Sequence, residues 1–84
     1  MQIVFSDRAV ESLQTAPPNV RRAFEKQLRF LTGNLLHSSL HAKKYDESAG
    51  LWQARINRNW RFHFTIVSDT YILPKNRNAL QQFP

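Results

Sequence analysis

Leu51-Trp52-Gln53-Ala54-Arg55-Ile56-Asn57-Arg58-Asn59-Trp60-Arg61-Phe62-His63-Phe64-Thr65-Ile66 is the stretch that decides the fold. Apolar side chains fall at every second position on both sides of Asn57-Arg58-Asn59. Trp52, Ala54 and Ile56 alternate with Gln53, Arg55 and Asn57, and Trp60, Phe62, Phe64 and Ile66 alternate with Arg61, His63 and Thr65. A period of two marks a half-buried strand. Two such runs joined by a short polar turn make an antiparallel hairpin. The apolar set must face a core, so Arg55, Arg61 and His63 are expected to stand open to solvent on the opposite face, beside Gln53 and Thr65.

Downstream, Ser68-Asp69 turns the chain into a third strand, Tyr71 to Leu73, which Pro74 ends or confines to an edge. Upstream, His37 to Gly50 reads as a loop with Lys43-Lys44-Tyr45 inside it. Before the loop the period changes. Val20, Phe24, Leu28 and Leu31 form one stripe at helical spacing from Pro18 to about Leu31, and Gly33-Asn34 stops it. Pro18 suits the first position of that helix. A shorter helix from Asp7 to about Gln14 precedes it, with Ser6 and Asp7 at its cap and Val10 and Leu13 inward. Met1 to Phe5 reads as a strand. The expected architecture is α+β: an N-terminal strand, a two-helix hairpin, then an antiparallel three-strand meander forming one small sheet, all within a single domain of residues 1–84.

Composition narrows the function. A chain of 84 residues buries one core and no more. The absence of cysteine removes disulfides, thiolate nucleophiles and Cys-bound metals. Three scattered histidines without convergent carboxylates are no ligand set, so neither metal nor other cofactor is expected. No apolar run approaches the roughly 20 residues of a membrane span, and the N-terminus lacks the pattern of a signal peptide, so a cytoplasmic location is expected. Twelve Lys and Arg against six Asp and Glu give a net charge of +6 and a pI near 10.6. Residues 43–84 hold seven of the cations and three of the anions, and therefore +4 of the excess. A polyanion is the implied partner, with RNA the best candidate.

The candidate chemistry follows from residue type. Arg55 and Arg61 share one face of the hairpin, where like charges repel unless something uses them. Guanidinium fits phosphate bidentately. Lys43, Lys44, Arg58, Lys75 and Arg77 are the flanking cations expected to meet RNA. Arginine stays protonated and makes a poor base. That leaves His63 as the best-placed group for proton transfer, ahead of His41 and His37. Nearby positive charge is expected to depress its pKa. Trp52 and Trp60 alternate with the core set and read as packing, whereas Tyr45 is freer to stack.

The run Leu40-His41-Ala42-Lys43-Lys44-Tyr45, with Trp52-x-x-Arg55-Ile56-Asn57-Arg58-Asn59-Trp60-Arg61, resembles the RelE/ParE superfamily of bacterial toxins, including its HigB branch, over about residues 3–73. RelE-like members cut messenger RNA in the ribosomal A site. ParE-like members poison DNA gyrase without chemistry on RNA, and each is held inactive by a cognate antitoxin. The resemblance implies that Arg61 matches the family arginine at the start of the second hairpin strand and that Arg55 holds a basic position, while Gln53 stands where RelE has lysine. It also implies the toxin of a type II pair, acting as a ribosome-dependent, metal-independent mRNA endoribonuclease with Arg61, Arg55 and His63 catalytic. The implied partners are mRNA, ribosomal RNA and an acidic antitoxin. The alternatives are a gyrase inhibitor and an inactivated remnant that binds only RNA or antitoxin. The tail departs from the family, because Pro74-Lys75-Asn76-Arg77 interrupts it and no Tyr or His follows Tyr71.

Overall fold

Ser6 begins the helical half of the fold as a true N-cap. In the computed structural model, which describes residues 2–83, its hydroxyl accepts the Ala9 amide at 3.0 Å and donates to the Pro74 carbonyl at 2.7 Å. One serine thus starts the first helix and ties it to a segment 68 residues away. The elements run β1 (Gln2–Val4), α1 (Asp7–Thr15), α2 (Pro18–Gly33), a 3-10 turn (Ser38–Leu40), β2 (Lys43–Asp46), β3 (Leu51–Arg55), β4 (Trp60–Val67), β5 (Thr70–Ile72) and β6 (Leu80–Gln82). No described helix is long and apolar enough to cross a membrane.

The α+β class, both helices and the hairpin stand as expected, but the sheet has six strands rather than a meander of three beside a lone N-terminal strand. Its order is β1-β5-β4-β3-β2, with β6 also against β4. β1 lies parallel to β5, and the other pairings are antiparallel. β5 and β6 share one side of β4, since Thr65–Val67 pair with β5 and Trp60–Phe62 pair with β6. The loop expected over His37 to Gly50 therefore contains an edge strand, and the tail contains another strand.

The core lies between the helices and one sheet face, called the inner face below. Phe24 of α2 meets Phe62 of β4 edge to face at 5.1 Å, and Phe62 is followed along the strand by Phe64 at 5.6 Å. All three are fully buried. Each such ring is worth about 1.5–3 kcal/mol of burial. Val20, Phe24 and Leu31 carry the α2 stripe inward, as their spacing requires, while Leu28 is only partly covered. In α1 Ala9 is buried and Leu13 packs against the core as expected, whereas Val10, also expected inward, is 40% exposed. Nine residues give α1 little more than two turns.

Candidate nucleic-acid interface

The register of the hairpin puts Trp52, Ala54, Phe62 and Phe64 on the inner face and Gln53, Arg55, Arg61 and His63 on the outer one. The alternation is thus correct. What the alternation missed is that part of the outer face is covered, and its rows differ from one end of the hairpin to the other.

At the loop end, Arg55 pairs with Arg61, and Arg61 with Gln81 of β6. Two guanidinium groups across a ladder would repel, yet both turn toward the same acceptor. Arg55 Nε donates to the Asn57 carbonyl at 3.3 Å, and Arg61 Nη1 donates to it at 2.8 Å. Arg61 Nη1 also reaches the carbonyls of Trp60 (3.0 Å) and Arg58 (3.4 Å). The Asn57 side chain caps the loop from within, its Oδ1 accepting the amides of Asn59 and Trp60 at 3.0 Å each. The chain folds this way locally because an asparagine side chain mimics the backbone of a tight turn. Each arginine is half-buried, not open. The tail returns here: Phe83 N donates to the Asn59 carbonyl, and the Phe83 ring lies 5.7 Å from the Arg61 guanidinium. The departure at Pro74 is therefore a detour, after which β6 rejoins Arg61 with Gln81, Gln82 and Phe83, none of them titratable.

The middle row is Lys43, Gln53 and His63. Here the expectation of an exposed histidine is corrected. His63 has no exposed surface, its Nε2 sits 3.2 Å from Gln53 Oε1, and its main-chain N–H donates to the Ala79 carbonyl. The Tyr45 ring meets the imidazole edge-on at 5.0 Å, and the Arg77 guanidinium lies over Tyr45 at 5.6 Å. Burial, with the Arg77 charge adding to it, holds the His63 pKa down at about 4. The depression was expected from charge; its main cause is desolvation.

The far row crosses five strands: Asp46, Leu51, Thr65, Ile72 and Val4. It floors a cleft of about 760 Å³ walled by Leu73 to Arg77. Asp46 brings a carboxylate to the outer face that the hairpin strands alone do not supply. The Ser48 hydroxyl and the Ala49 amide hold its pKa below the ordinary value, with the Arg77 charge a smaller cause.

The structure does not gather the flanking cations into one cluster. Lys43 stands on the outer face beside Gln53, whereas Lys44 turns to the other face and lies 6.0 Å from the Trp52 ring. Arg58 is exposed at the hairpin loop, and Lys75 and Arg77 line the cleft. His37 is engaged elsewhere: it stacks on Phe30 at 3.8 Å, and its Nδ1 accepts the Ser39 amide. Among the described residues no three His, Asp or Glu side chains gather as metal ligands.

One supporting residue went unread. Gln27 is 5% exposed, and its amide nitrogen donates to the carbonyls of Ser39 (3.0 Å) and Arg55 (2.8 Å). It thereby fastens α2 to the end of β3 that carries the arginine pair. The signal was present, because position 27 completes the spacing Val20, Phe24, Gln27, Leu31 and so lies on the buried stripe.

Comparison with known proteins places this arrangement. No protein-family description matches the chain, and no curated protein matches it. Solved structures do. The RelE–RelB complex of Pyrococcus horikoshii aligns at a TM-score of 0.74 with 15% identity, over 96% of this chain and 92% of that one. This chain has the RelE/ParE toxin fold. The RelB–RelE antitoxin–toxin complex of Methanococcus jannaschii gives 0.73 at 19% identity, over 94% and 88% of the two chains. The YoeB–YefM complex of Staphylococcus aureus gives 0.69 at 20%, over 87% and 90%.

Proposed function

We propose that this chain is the toxin of a type II toxin–antitoxin pair and that it cleaves messenger RNA on the ribosome. The observation that carries the reading is the convergence of Arg55 and Arg61 on the Asn57 carbonyl. Each guanidinium has five N–H donors, and the contacts to the loop carbonyls leave others to meet a phosphate. Two cations held in place at one spot suit the charge that builds when a ribose 2′-oxygen attacks the adjacent phosphorus and the 5′-oxygen departs. Positioned donors of this kind are worth about 10²–10³-fold each. Proton transfer falls to His63 where Tyr45 and Arg77 move aside, or to groups of the ribosome. The net charge of +6 and the antitoxin-bound state of the structural neighbours from Staphylococcus aureus and Methanococcus jannaschii support an acidic antitoxin as the resting partner.

A second reading has its own support. His63 is buried, and Gln81, Gln82 and Phe83 bring no titratable group to Arg61. A cationic loop end with no free acid or base beside Arg61 suits binding without chemistry, as in gyrase inhibition. Inducible expression, with mRNA ends and gyrase–DNA breaks mapped in the same cells, separates the two. New mRNA ends are expected. Growth arrest with gyrase breaks and intact mRNA would remove the nuclease.

A further inference from the structure

We propose that Tyr45 is the stacking platform for one base of single-stranded RNA, which takes the place over its ring that the Arg77 guanidinium now holds. The inference rests on the RNA reading above and deepens it, because it assigns a base site apart from the arginine pair.

The backbone presents Tyr45 for this purpose. Lys44 pairs with Trp52 and Asp46 with Leu51, so Tyr45 falls at a register shift, an extra residue in an edge strand. Bulges re-aim side chains. This one sends the tyrosine onto the outer face, against His63, while all four residues of β2 stay exposed. As a residue Tyr45 is 51% exposed. Other aromatic rings are committed elsewhere: Trp52 stacks on Phe64 on the inner face, Trp60 lines a hollow beside α1, and Phe83 lies against Arg61.

The ring is also backed rigidly. His63 touches it at 5.0 Å and is itself held by Gln53 at 3.2 Å. A base landing on Tyr45 therefore meets a fixed surface with little left to order. Arg77 already shows that a flat, delocalised group fits there. Cation–π contacts at exposed sites are weak, and a phosphate next to the base offers Arg77 a stronger, charge-assisted contact. Arg77 can thus leave the ring for the backbone as the base arrives. Lys43 on the same face and Lys75 on the cleft wall flank the path. A duplex hides the faces of its bases, so the ligand is single-stranded.

The test uses the whole chain and an oligoadenylate octamer, with binding followed by fluorescence anisotropy across a salt series. Base–aromatic stacking predicts that Tyr45→Ala and Tyr45→Leu weaken binding on the order of 5- to 100-fold. The salt slope should not change, because no phosphate contact is lost, and Tyr45→Phe should bind like the wild type. Arg77→Ala should flatten the slope by about one yet keep the dependence on Tyr45. The His63 ring-proton resonances should move when the octamer binds the wild type and stay fixed in Tyr45→Leu. Thermal unfolding of each variant checks that the edge strand survives. Equal affinity of wild type, Tyr45→Ala and Tyr45→Leu overturns the base site and leaves RNA binding standing. A duplex bound as tightly as the single strand overturns it as well, and no binding of the octamer by the wild type overturns both readings.

Discussion

His63 and Gln53 face each other directly across the hairpin, and the histidine Nε2 stands 3.2 Å from the glutamine Oε1. An amide oxygen only accepts, so Nε2 is the nitrogen that carries the proton, and Nδ1 is left as the bare side of the ring. That Nδ1 is buried and has no hydrogen-bond partner among the described residues. Burial keeps the ring neutral, and the pair selects its Nε2–H tautomer. It also explains how a sheet face that reads as polar tolerates cover in its middle: one imidazole and one amide satisfy each other, and Tyr45 and the returning tail close over them.

This burial makes stability depend on acidity. The folded pKa of His63, about 4, lies below its ordinary value of 6.5, so between those values the unfolded chain binds the extra proton and the folded one does not. Its contribution is complete above pH 6.5 and declines as pH falls toward 4. The expected result is a melting temperature that drops over this window. His63→Leu should lose most of the drop. An NMR titration in which the His63 ring protons moved with a midpoint near 6.5 would contradict the burial.

The pair itself can be weighed by a double-mutant cycle. Gln53→Leu strips from a buried imidazole the one side-chain hydrogen-bond partner it has among the described residues, which should cost about 1–3 kcal/mol in urea unfolding. His63→Leu should cost a similar amount by stranding the glutamine. The double variant Gln53→Leu/His63→Leu should recover much of both, because neither polar group is then left unpaired. Simple additivity of the two losses would mean that the contact contributes nothing.

What the sequence disclosed, it disclosed through periodicity. The stripe Val20, Phe24, Leu31 and the alternation from Trp52 to Ile66 each record one buried face, and both are seen as read. β2 left no such record, because Lys43-Lys44-Tyr45-Asp46 is an edge strand with every residue exposed. β6 offers one buried side chain, Leu80, too little for a period. The parallel pairing of β1 with β5 joins residues about 68 apart and has no local signature. The arginine pair was legible by face, but the cover over His63 was not, since it comes from Tyr45 at a bulge and from a tail that returns after Pro74.

Gln27 gives a prediction in the core. Its amide serves two carbonyls, Ser39 and Arg55. Gln27→Leu keeps the volume and strands both acceptors in a nearly dry place, so a loss of about 1–3 kcal/mol is expected. The substitution should also speed amide exchange around Arg55 to Asn57, because that end of β3 loses its tie to α2. A variant as stable and as protected as the wild type would show that water replaces the glutamine without cost.

Arg61 carries the sharpest prediction, because the structure gives it two separable jobs. Its Nη1 contacts to the carbonyls of Asn57, Arg58 and Trp60 staple the hairpin loop. Arg61 lies outside the core, yet these contacts imply that Arg61→Ala costs about 1 kcal/mol, the usual net worth of such a bond at a partly exposed site. Its remaining donors are those proposed to meet phosphate. Arg61→Lys keeps the charge but loses the planar fork, and its Nζ ends one bond short of the place from which Nη1 reaches the loop carbonyls. It should therefore match Arg61→Ala in urea unfolding while retaining more of the salt dependence of RNA binding. If the arginine stabilises charge on the reacting phosphate, toxicity and mRNA cleavage should fall about 10²–10³-fold in Arg61→Ala at temperatures where the variant is fully folded. Arg55→Ala should lower cleavage as well, and the double variant should lose less than the product of the two effects, since both side chains share the Asn57 carbonyl. Undiminished cleavage in folded Arg61→Ala would leave the residue with its structural role alone.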